Sequence, residues 1–248
     1  MFNFFAKENA DTDGRFHISG SDHNHIRNVL RMKPGEEFLI SFEGKSHLCI
    51  LEALDENTSV AKILSENYQS TELPVYIHLF QGLPKADKME LIIQKCTELG
   101  VSEITPVEMR NCVVRLEEKK KKSKTERWQA ISESAAKQSK RNLVPTVNTP
   151  LSFTSVIAKA DEFDLFLIPY ESKEGMKSTK DALSKIKGGT RVAILIGPEG
   201  GFDENEIEKC TAVNMHIISL GKRILRTETA AITSVGMCML YSELSDEL

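Results

Sequence analysis

The chain has 248 residues, of which 40% are hydrophobic, and a formal net charge of -4 at pH 7. This composition suits one large domain or two of modest size and excludes extended disorder. No apolar run is long enough to span a bilayer, and Met1–Lys7 has neither the basic start nor the sustained apolar core of an export signal. Five scattered cysteines without Cys-x-x-Cys spacing indicate a reduced, cytoplasmic protein and give no sign of a zinc site.

Charge is unevenly distributed along the chain. The net charge is -5 over residues 1–72, +5 over residues 73–150 and -4 over residues 151–248. The middle segment is therefore the one expected to face a polyanion, whereas the overall acidity argues against tight nonspecific binding of nucleic acid.

The first part of the chain is predicted to be mostly β-structure. The apolar runs Glu37–Phe42 and Ser46–Leu51 flank a short loop with Gly44, which is a hairpin signal. Thr58–Leu64 predicts a further strand, and Asp22–Arg31 predicts a short helix. Short strands at this spacing favour a small β-barrel.

A polar stretch over residues 67–74 ends in proline and places the domain boundary at residues 72 and 73. After it, strands alternate with helices, which implies a mainly parallel sheet in an α/β domain over residues 73–248. Strands are predicted at Val75–Phe80, Ile104–Val107, Leu165–Ile168, Val192–Ile196 and His216–Leu220. Helices are predicted at Lys85–Leu99, ended by Gly100, at Lys124–Lys140 with Trp128, Ile131 and Ala135 on one face, and at Thr227–Glu243 with Ile232, Val235, Met239 and Leu240 towards the core.

Unusual loops follow three of these strands, at Ile168–Glu171, Ile196–Gly201 and Leu220–Leu225. The carboxyl ends of neighbouring parallel strands lie together, so the three loops are expected to surround one small ligand. Their glycines let such a ligand approach the backbone closely.

The loop at Gly197–Phe202 contains a carboxylate, Glu199, and no lysine. Neither Gly-x4-Gly-Lys-Ser/Thr nor Gly-x-Gly-x-x-Gly is present, so phosphate-cradling and dinucleotide-binding loops lack support. A carboxylate is compatible with a ligand that carries positive charge, such as a sulfonium. The alternative is that Gly200-Gly201 forms only a tight turn before a helix capped by Asp203.

Several motifs together resemble the SPOUT RNA methyltransferases and, more closely, the family of ribosomal RNA small-subunit methyltransferase E. The resemblance extends over most of the chain. It is carried by His25–Arg31, Lys85 with Lys88–Glu90, Gln94–Val101, Arg127–Trp128, Gln138–Arg141, Gly197–Phe202 and Ser219–Ala231, of which the last two are the most specific.

The resemblance implies a PUA-like β-barrel over residues 1–72, followed by a SPOUT domain with a trefoil knot. It also implies a homodimer that uses S-adenosylmethionine to methylate N3 of one uridine near the decoding site of 16S rRNA in the small ribosomal subunit. Carried over residue by residue, it implies a cofactor pocket formed by Leu167, Ile168, Pro169, Ile196, Gly197, Pro198, Glu199, Gly200, Gly201, Leu220, Gly221, Ile224 and Leu225.

Removal of the uridine N3 proton calls for a base or for a cation that stabilises the uridine anion. Arg226, Glu228 and Glu199 are the candidate catalytic residues, and the sequence does not choose between the two carboxylates. Glu228 also suits a helix first turn, where it would interact with the helix dipole, and Arg226 also suits a surface position.

The predicted RNA contacts are His25, Arg27, Asn28, Arg31, Lys85, Arg110 and Arg141. The lysine run from Lys119 to Lys124 fits either an RNA contact or a solvated loop before a helix. His23 and His25 lack further partners for a metal site. The alternatives to rRNA methylation are a noncatalytic RNA-binding or ribosome-assembly protein, a methyltransferase acting on tRNA, and a small-molecule enzyme.

Overall fold

The computed structural model describes residues 1–170, 175–213 and 215–246. The chain forms two compact units. The first contains Met1–Glu72 and Ala136–Val144, and the second contains Leu73–Ala135 and the chain from Pro145 onward. The sequence analysis did not predict the return of Ala136–Val144 to the first unit.

The first unit is built on a five-stranded sheet with the order β1-β3-β4-β5-β2. Its strands are β1 (Asn3–Phe5), β2 (Arg15–Ser19), β3 (Glu37–Phe42), β4 (Lys45–Leu54) and β5 (Thr58–Ser65). β1 pairs in parallel with β3, and the other neighbours are antiparallel. The hairpin predicted around Gly44 is β3–β4, whereas the two strands at the sheet edges, β1 and β2, were not predicted.

The helical stretch begins and ends two residues earlier than the predicted helix at Asp22–Arg31. Helix α1 (Gly20–Asn24) continues directly into a π-helical turn at His25–Val29. The side chain of Ile26 is fully buried in the core of this unit. Arg31 has a φ of 54°, a left-handed conformation that ends the helical stretch.

The segment Ala136–Val144 is bound to the first unit through its backbone and through ion pairs. The carbonyl of Arg141 accepts a hydrogen bond of 2.9 Å from Asn3 Nδ2. Lys137 Nζ lies 2.8 Å from Asp22 Oδ1. The Arg141 guanidinium pairs with the carboxylate of Glu72, which also accepts the backbone N–H of Asn142 at 2.8 Å.

The second unit contains a seven-stranded sheet with the order β12-β10-β11-β6-β7-β8, in which β9 also pairs with β7. All of these strand pairs are parallel, which confirms the prediction of a parallel α/β sheet. The strands are β6 (Tyr76–Gly82), β7 (Glu103–Glu108), β8 (Thr146–Val147), β9 (Leu151–Ser152), β10 (Leu165–Pro169), β11 (Arg191–Ile196) and β12 (His216–Ile218). The helices are α2 (Lys88–Glu98), α3 (Glu118–Gln138), α4 (Phe153–Ile157), α5 (Met176–Leu183), α6 (Glu204–Ala212) and α7 (Thr227–Asp246).

The lysine run lies within a helix and not in the loop that one sequence interpretation placed before it. Helix α3 begins at Glu118, six residues before the predicted start, and includes Lys119–Lys124. Lys121 Nζ lies 3.2 Å from Glu108 Oε1 and 3.0 Å from Glu118 Oε2. The ion pair with Glu108 was missed because that residue lies outside the helix, on β7. Trp128 is buried, as its helical spacing predicts.

Helix α7 packs against α2, and part of its predicted face is buried, since Ile232 packs against the core. Val235 is fully buried as expected, together with Ala231 and Cys238, whereas Leu240 is exposed. The prediction for Leu240 is therefore wrong. All five cysteines are buried thiols. Among the described helices none is long and apolar enough to cross a membrane.

Candidate active site

Three strand ends meet at one edge of the second unit's sheet. β10 lies between β12 and β11, and all three run in parallel, so the loops that follow them leave the same edge. β6 is the next neighbour of β11 and brings the β6–α2 turn to this edge. The sequence predicted the grouping of the three loops. Glu171, in the first loop, lies outside the described residues.

The glycine loop after β11 packs closely against the end of β6 and against its own Phe202. A Cβ atom at Gly82, the last residue of β6, would lie 2.7 Å from Pro198 N and 2.8 Å from Pro198 Cδ. A Cβ atom at Gly197 would lie 3.1 Å from the ring of Phe202. Gly82 is therefore part of the site, although the sequence analysis did not select it.

Both the tight turn and the helix cap considered in the sequence analysis are present. Gly201 N donates a 2.9 Å hydrogen bond to Pro198 O and closes the turn. Asp203 and Glu206 form a capping box at the start of α6. Glu206 Oε1 also accepts the backbone N–H of Arg110 at 2.9 Å. The cap therefore also fixes a neighbouring loop. The turn and the cap are compatible with a ligand site at this edge.

Asn111 follows β7 and supports the outer side of the glycine loop. Its side-chain Nδ2 donates to Gly200 O at 3.2 Å and to Gly201 O at 3.3 Å. A Cβ atom at Gly200 would lie 2.9 Å from the Cβ of Asn111. This contact was missed because the two segments are almost ninety residues apart in sequence.

A buried hydrogen-bond network supports the inner side of the loop. Thr227, the first residue of α7, donates from Oγ1 to Gly197 O at 2.7 Å. Gln81 Nε2 donates to the same Thr227 oxygen at 2.9 Å and to Gly82 O at 2.9 Å. The end of β6, the glycine loop and the start of α7 are thereby joined.

The two candidate carboxylates meet at one lysine. Lys88 Nζ lies 3.1 Å from Glu199 Oε1 and 3.1 Å from Glu228 Oε2. Glu199 Oε1 also accepts the backbone N–H of Lys85 at 3.0 Å. Lys88 belongs to a motif typical of the family that the sequence resembles, but no role at the site was predicted for it.

These contacts favour the charged forms of Glu199 and Lys88. Burial acts to raise the pKa of Glu199, but hydrogen bonds from the Lys85 and Glu199 backbone and from Lys88 outweigh it and lower the pKa. Hydrogen bonds to Glu199 and then Glu228 raise the pKa of Lys88. One ammonium thus faces two carboxylates, which leaves the cluster with a net negative charge suited to a cationic ligand.

The loop after β12 is fixed at its base and open at its tip. Thr179 Oγ1, on α5, donates to Ser219 O at 2.6 Å and accepts the Ser219 N–H at 3.0 Å. Gly221 has a φ of 102°, which favours glycine. Ile224 is fully exposed, and Arg226 is also exposed, at the start of α7. Leu220 and Leu225 are partly buried.

The first loop offers its backbone and an aromatic side chain. Leu167 and Ile168 are fully buried in the core, so a ligand at this edge would meet their backbone and not their side chains. Pro169 is partly buried, and the ring of Tyr170 meets that of Phe202 edge to face at 6.1 Å. Ile196 is likewise buried at the end of β11.

Most of the predicted RNA contacts are exposed, but several already have partners. His25, Asn28, Arg31 and Lys85 are exposed. In the first unit, Arg27 Nη1 donates to the carbonyls of Asp55 and Glu56, each at 2.9 Å. In the second, Arg110 Nη1 lies 3.1 Å from Asp203 Oδ1, and its side chain is 65% exposed.

Arg141 does not fit the predicted RNA-binding role. Its residue surface is only 3% exposed, and its guanidinium is paired with Glu72. A phosphate contact would require this buried pair to open, so we assign Arg141 to the stability of the first unit. His23 is also buried, with Nδ1 2.8 Å from Ser59 Oγ. No group of three metal-ligating side chains occurs among residues 1–170, 175–213 and 215–246.

Comparisons with known proteins give matches to both units of the chain. Residues 71–239 match the model of an RNA methyltransferase domain, and residues 18–64 match that of an RNA methyltransferase PUA domain. The chain is 37% identical to ribosomal RNA small subunit methyltransferase E of Bacillus subtilis (strain 168), over 96% of this chain and 95% of the relative. It is 33% identical to the protein of the same name in Mesomycoplasma hyopneumoniae (strain 232), over 96% and 99%.

A solved structure extends the comparison to the fold. It is the crystal structure of a ribosomal RNA small subunit methyltransferase E from Neisseria gonorrhoeae bound to S-adenosyl methionine. The TM-score is 0.83 at 30% identity, over 97% of each chain. The match therefore includes both units and not the methyltransferase domain alone.

Proposed function

The chain belongs to the ribosomal RNA small subunit methyltransferase E family, and from this premise we propose that it transfers a methyl group from S-adenosylmethionine to N3 of one uridine near the decoding site of 16S rRNA. The observation that carries the proposal is the cluster in which Lys88 joins Glu199 and Glu228 beside the glycine loop. Such a site combines a place for a cationic ligand with a carboxylate able to accept a proton.

The residues at the sheet edge fit S-adenosylmethionine. When bound, this cofactor supplies a methyl group on a positively charged sulfur and leaves as a neutral thioether. The net negative charge of the Lys88 cluster suits that cation. The backbone of Gly197–Gly201 and of Leu220–Leu225, with the strand end at Leu167–Pro169, would hold the remaining polar groups through main-chain donors and acceptors.

Glu228 is the better candidate for the proton acceptor. Glu199 is held by the Lys85 N–H and by Lys88, and its lowered pKa makes it a weak base. Glu228 contacts the same lysine at 3.1 Å, but its buried Oε2 has no hydrogen-bond partner among the described residues, so fewer donors hold it than hold Glu199. We assign Glu228 the acceptance of the uridine N3 proton, so that the N3 electron pair forms the bond to the methyl carbon. Glu199 supports the loop.

Arg226 is placed to act on the RNA. It is exposed at the start of α7, two residues from Glu228. Its guanidinium would stabilise negative charge on the uracil oxygens as N3 loses its proton, or hold a neighbouring phosphate.

The rest of the proposal concerns the assembly. The first unit would recognise RNA through His25, Arg27, Asn28 and Arg31, and the second through Lys85 and Arg110. We propose a cytoplasmic homodimer acting on the small ribosomal subunit. The trefoil knot implied by the family resemblance stays a prediction.

Transfer of tritiated methyl groups tests the proposal. The protein is incubated with labelled cofactor and with small ribosomal subunits from a strain that lacks the modification, and the nucleosides are then separated. Label in 3-methyluridine of 16S rRNA is expected. Label in tRNA, at another atom, or in no nucleoside would refute the proposal.

Single-turnover measurements test the two catalytic assignments. Glu228→Gln removes the base, and we expect the rate to fall on the order of 100-fold or more at saturating cofactor. Glu199→Gln should mainly weaken cofactor binding, which calorimetry measures separately. Arg226→Ala should lower the rate with cofactor affinity retained, whereas Arg223→Ala, in the same exposed loop, is the matched control. Unchanged turnover in Glu228→Gln would rule out its role.

A further inference from the structure

Lys88 is the residue that joins the two candidate carboxylates of the site. It lies in the first turn of α2, and its side chain is 28% exposed. Its ammonium contacts one carboxylate in the glycine loop and one in the first turn of α7, each at 3.1 Å. Three chain segments that are distant in sequence therefore meet at a single charge.

Removal of that charge would affect the two carboxylates differently. Glu199 would keep the backbone N–H of Lys85 as a donor, at 3.0 Å. Glu228 would lose its cation while still facing the negative charge of Glu199. Two like charges that share a site make one carboxyl group hold its proton more tightly. Lys85 and Arg226 are the nearby cations in sequence, and the Cys112 thiol is kept neutral because burial, with Glu206 and Glu199, raises its pKa.

We propose that Lys88 is a positioning residue for methyl transfer, which holds Glu228 in place as the proton acceptor and fastens Glu199 and the glycine loop to α2. This inference rests on the proposed function for its catalytic part. Its structural part, the fastening of the loop, does not depend on any activity. Lys88 acts through the two glutamates and needs no contact with the uridine.

The test compares Lys88→Met with Lys88→Arg, which keeps the charge, and with Lys95→Met. Lys95 is on the same helix and pairs with Glu98, so it is a matched control outside the site. Melting curves verify that each variant is folded. At saturating cofactor and subunits, we expect the single-turnover rate of Lys88→Met to fall on the order of 10-fold to 100-fold, with most of it restored in Lys88→Arg.

The pH profile and a double-mutant cycle separate positioning from a general loss of structure. In Lys88→Met the acidic limb of the rate profile should move to higher pH, because the ammonium that faces both carboxylates is gone. In the Glu228→Gln background, Lys88→Met should cost little further rate. The inference would be overturned if the rate losses of the two single variants multiplied in the double variant, or if the acidic limb of the Lys88→Met profile did not shift.

Backbone amide exchange provides a readout that needs no activity. Lys88→Met should speed exchange over Gly197–Phe202, and Lys95→Met should not. Absence of methyl transfer by the wild-type protein would refute the proposed function alone. Unchanged exchange over the glycine loop in Lys88→Met would overturn the inference alone.

Discussion

The hydroxyl of Thr227 donates a 2.7 Å hydrogen bond to the carbonyl oxygen of Gly197 and accepts one from Gln81. Thr227→Val keeps the shape of the side chain. It removes the donor to the Gly197 carbonyl and the acceptor for Gln81 Nε2. We expect a loss of about 1–3 kcal/mol in the free energy of unfolding, because buried polar groups that lose a partner carry a desolvation penalty. Denaturant unfolding measures the loss, and cofactor affinity should fall with it.

Thr227→Ser keeps the hydroxyl and is the control for this change. It should retain cofactor affinity close to that of the wild-type protein. Equal affinity in the valine and serine variants would show that the network below Gly197 does not shape the pocket.

A second test concerns the close contact between β6 and the glycine loop. In Gly82→Ala the new Cβ atom would lie 2.7 Å from Pro198 N, which is backbone and cannot move aside alone. We expect a loss of about 1–3 kcal/mol in stability from overpacking, together with weaker cofactor binding in calorimetry. Gly236→Ala is the matched control, because its Cβ atom would meet Leu99 at an ordinary 3.6 Å inside a helix. That variant should be neutral or slightly more stable, so equal losses in both variants would contradict the explanation.

The success of the sequence analysis depended on how local each feature is. The strand β11 is a continuous apolar run, and Gly197–Phe202 follows it directly, so both could be predicted from adjacent residues. The contacts of Lys88 with Glu199 and Glu228 depend on strand order. The pairing of β6 with β11 brings together the segments that follow these two strands. Periodicity within single segments does not give that order.

Two differences between the sequence-based predictions and the structure have the same origin. Leu240 fits a helical stripe, yet it is exposed, whereas Ala231 and Cys238 on the same helix are fully buried. Arg141 sits in a basic motif typical of an RNA contact, yet Ala136–Val144 returns to the first unit and buries it against Glu72. In both positions the tertiary packing overrides what the local sequence indicates.

The assignment of Arg141 to stability leads to a third test. Arg141→Met removes the cation and leaves the Glu72 carboxylate with its backbone donors from Asn142 and Leu143. We expect a loss of about 3–5 kcal/mol, the usual result when one partner of a buried pair is removed. Urea unfolding, with amide exchange to locate the effect in the first unit, measures it.

Lys95→Met is the comparison for an exposed ion pair, and its stability should change by less than about 1 kcal/mol. If Arg141→Met kept full stability and only weakened binding to ribosomal subunits, the original RNA-contact prediction would be restored and the assignment made here would be wrong.

The last test uses a buried histidine of the second unit. Burial lowers the pKa of His78 to about 4, although nearby Glu103 acts to raise it. His78 Nε2 lies 2.7 Å from Thr105 Oγ1, and the ring stacks on Phe80 at 3.9 Å. The folded protein therefore keeps this ring neutral in a pH range where the unfolded chain protonates it.

The sign of the effect follows from this difference. Between about pH 6.5 and pH 4 the unfolded state binds more protons, so the free energy of unfolding falls as the pH falls, by up to about 3 kcal/mol from His78. His78→Gln and His78→Phe cannot bind that proton. Both should therefore flatten the stability curve over this range, whatever their stability at pH 7. Denaturant unfolding at a series of pH values measures the slopes. A slope in either variant as steep as that of the wild-type protein would mean that other groups, Glu103 first among them, cause the loss of stability in acid.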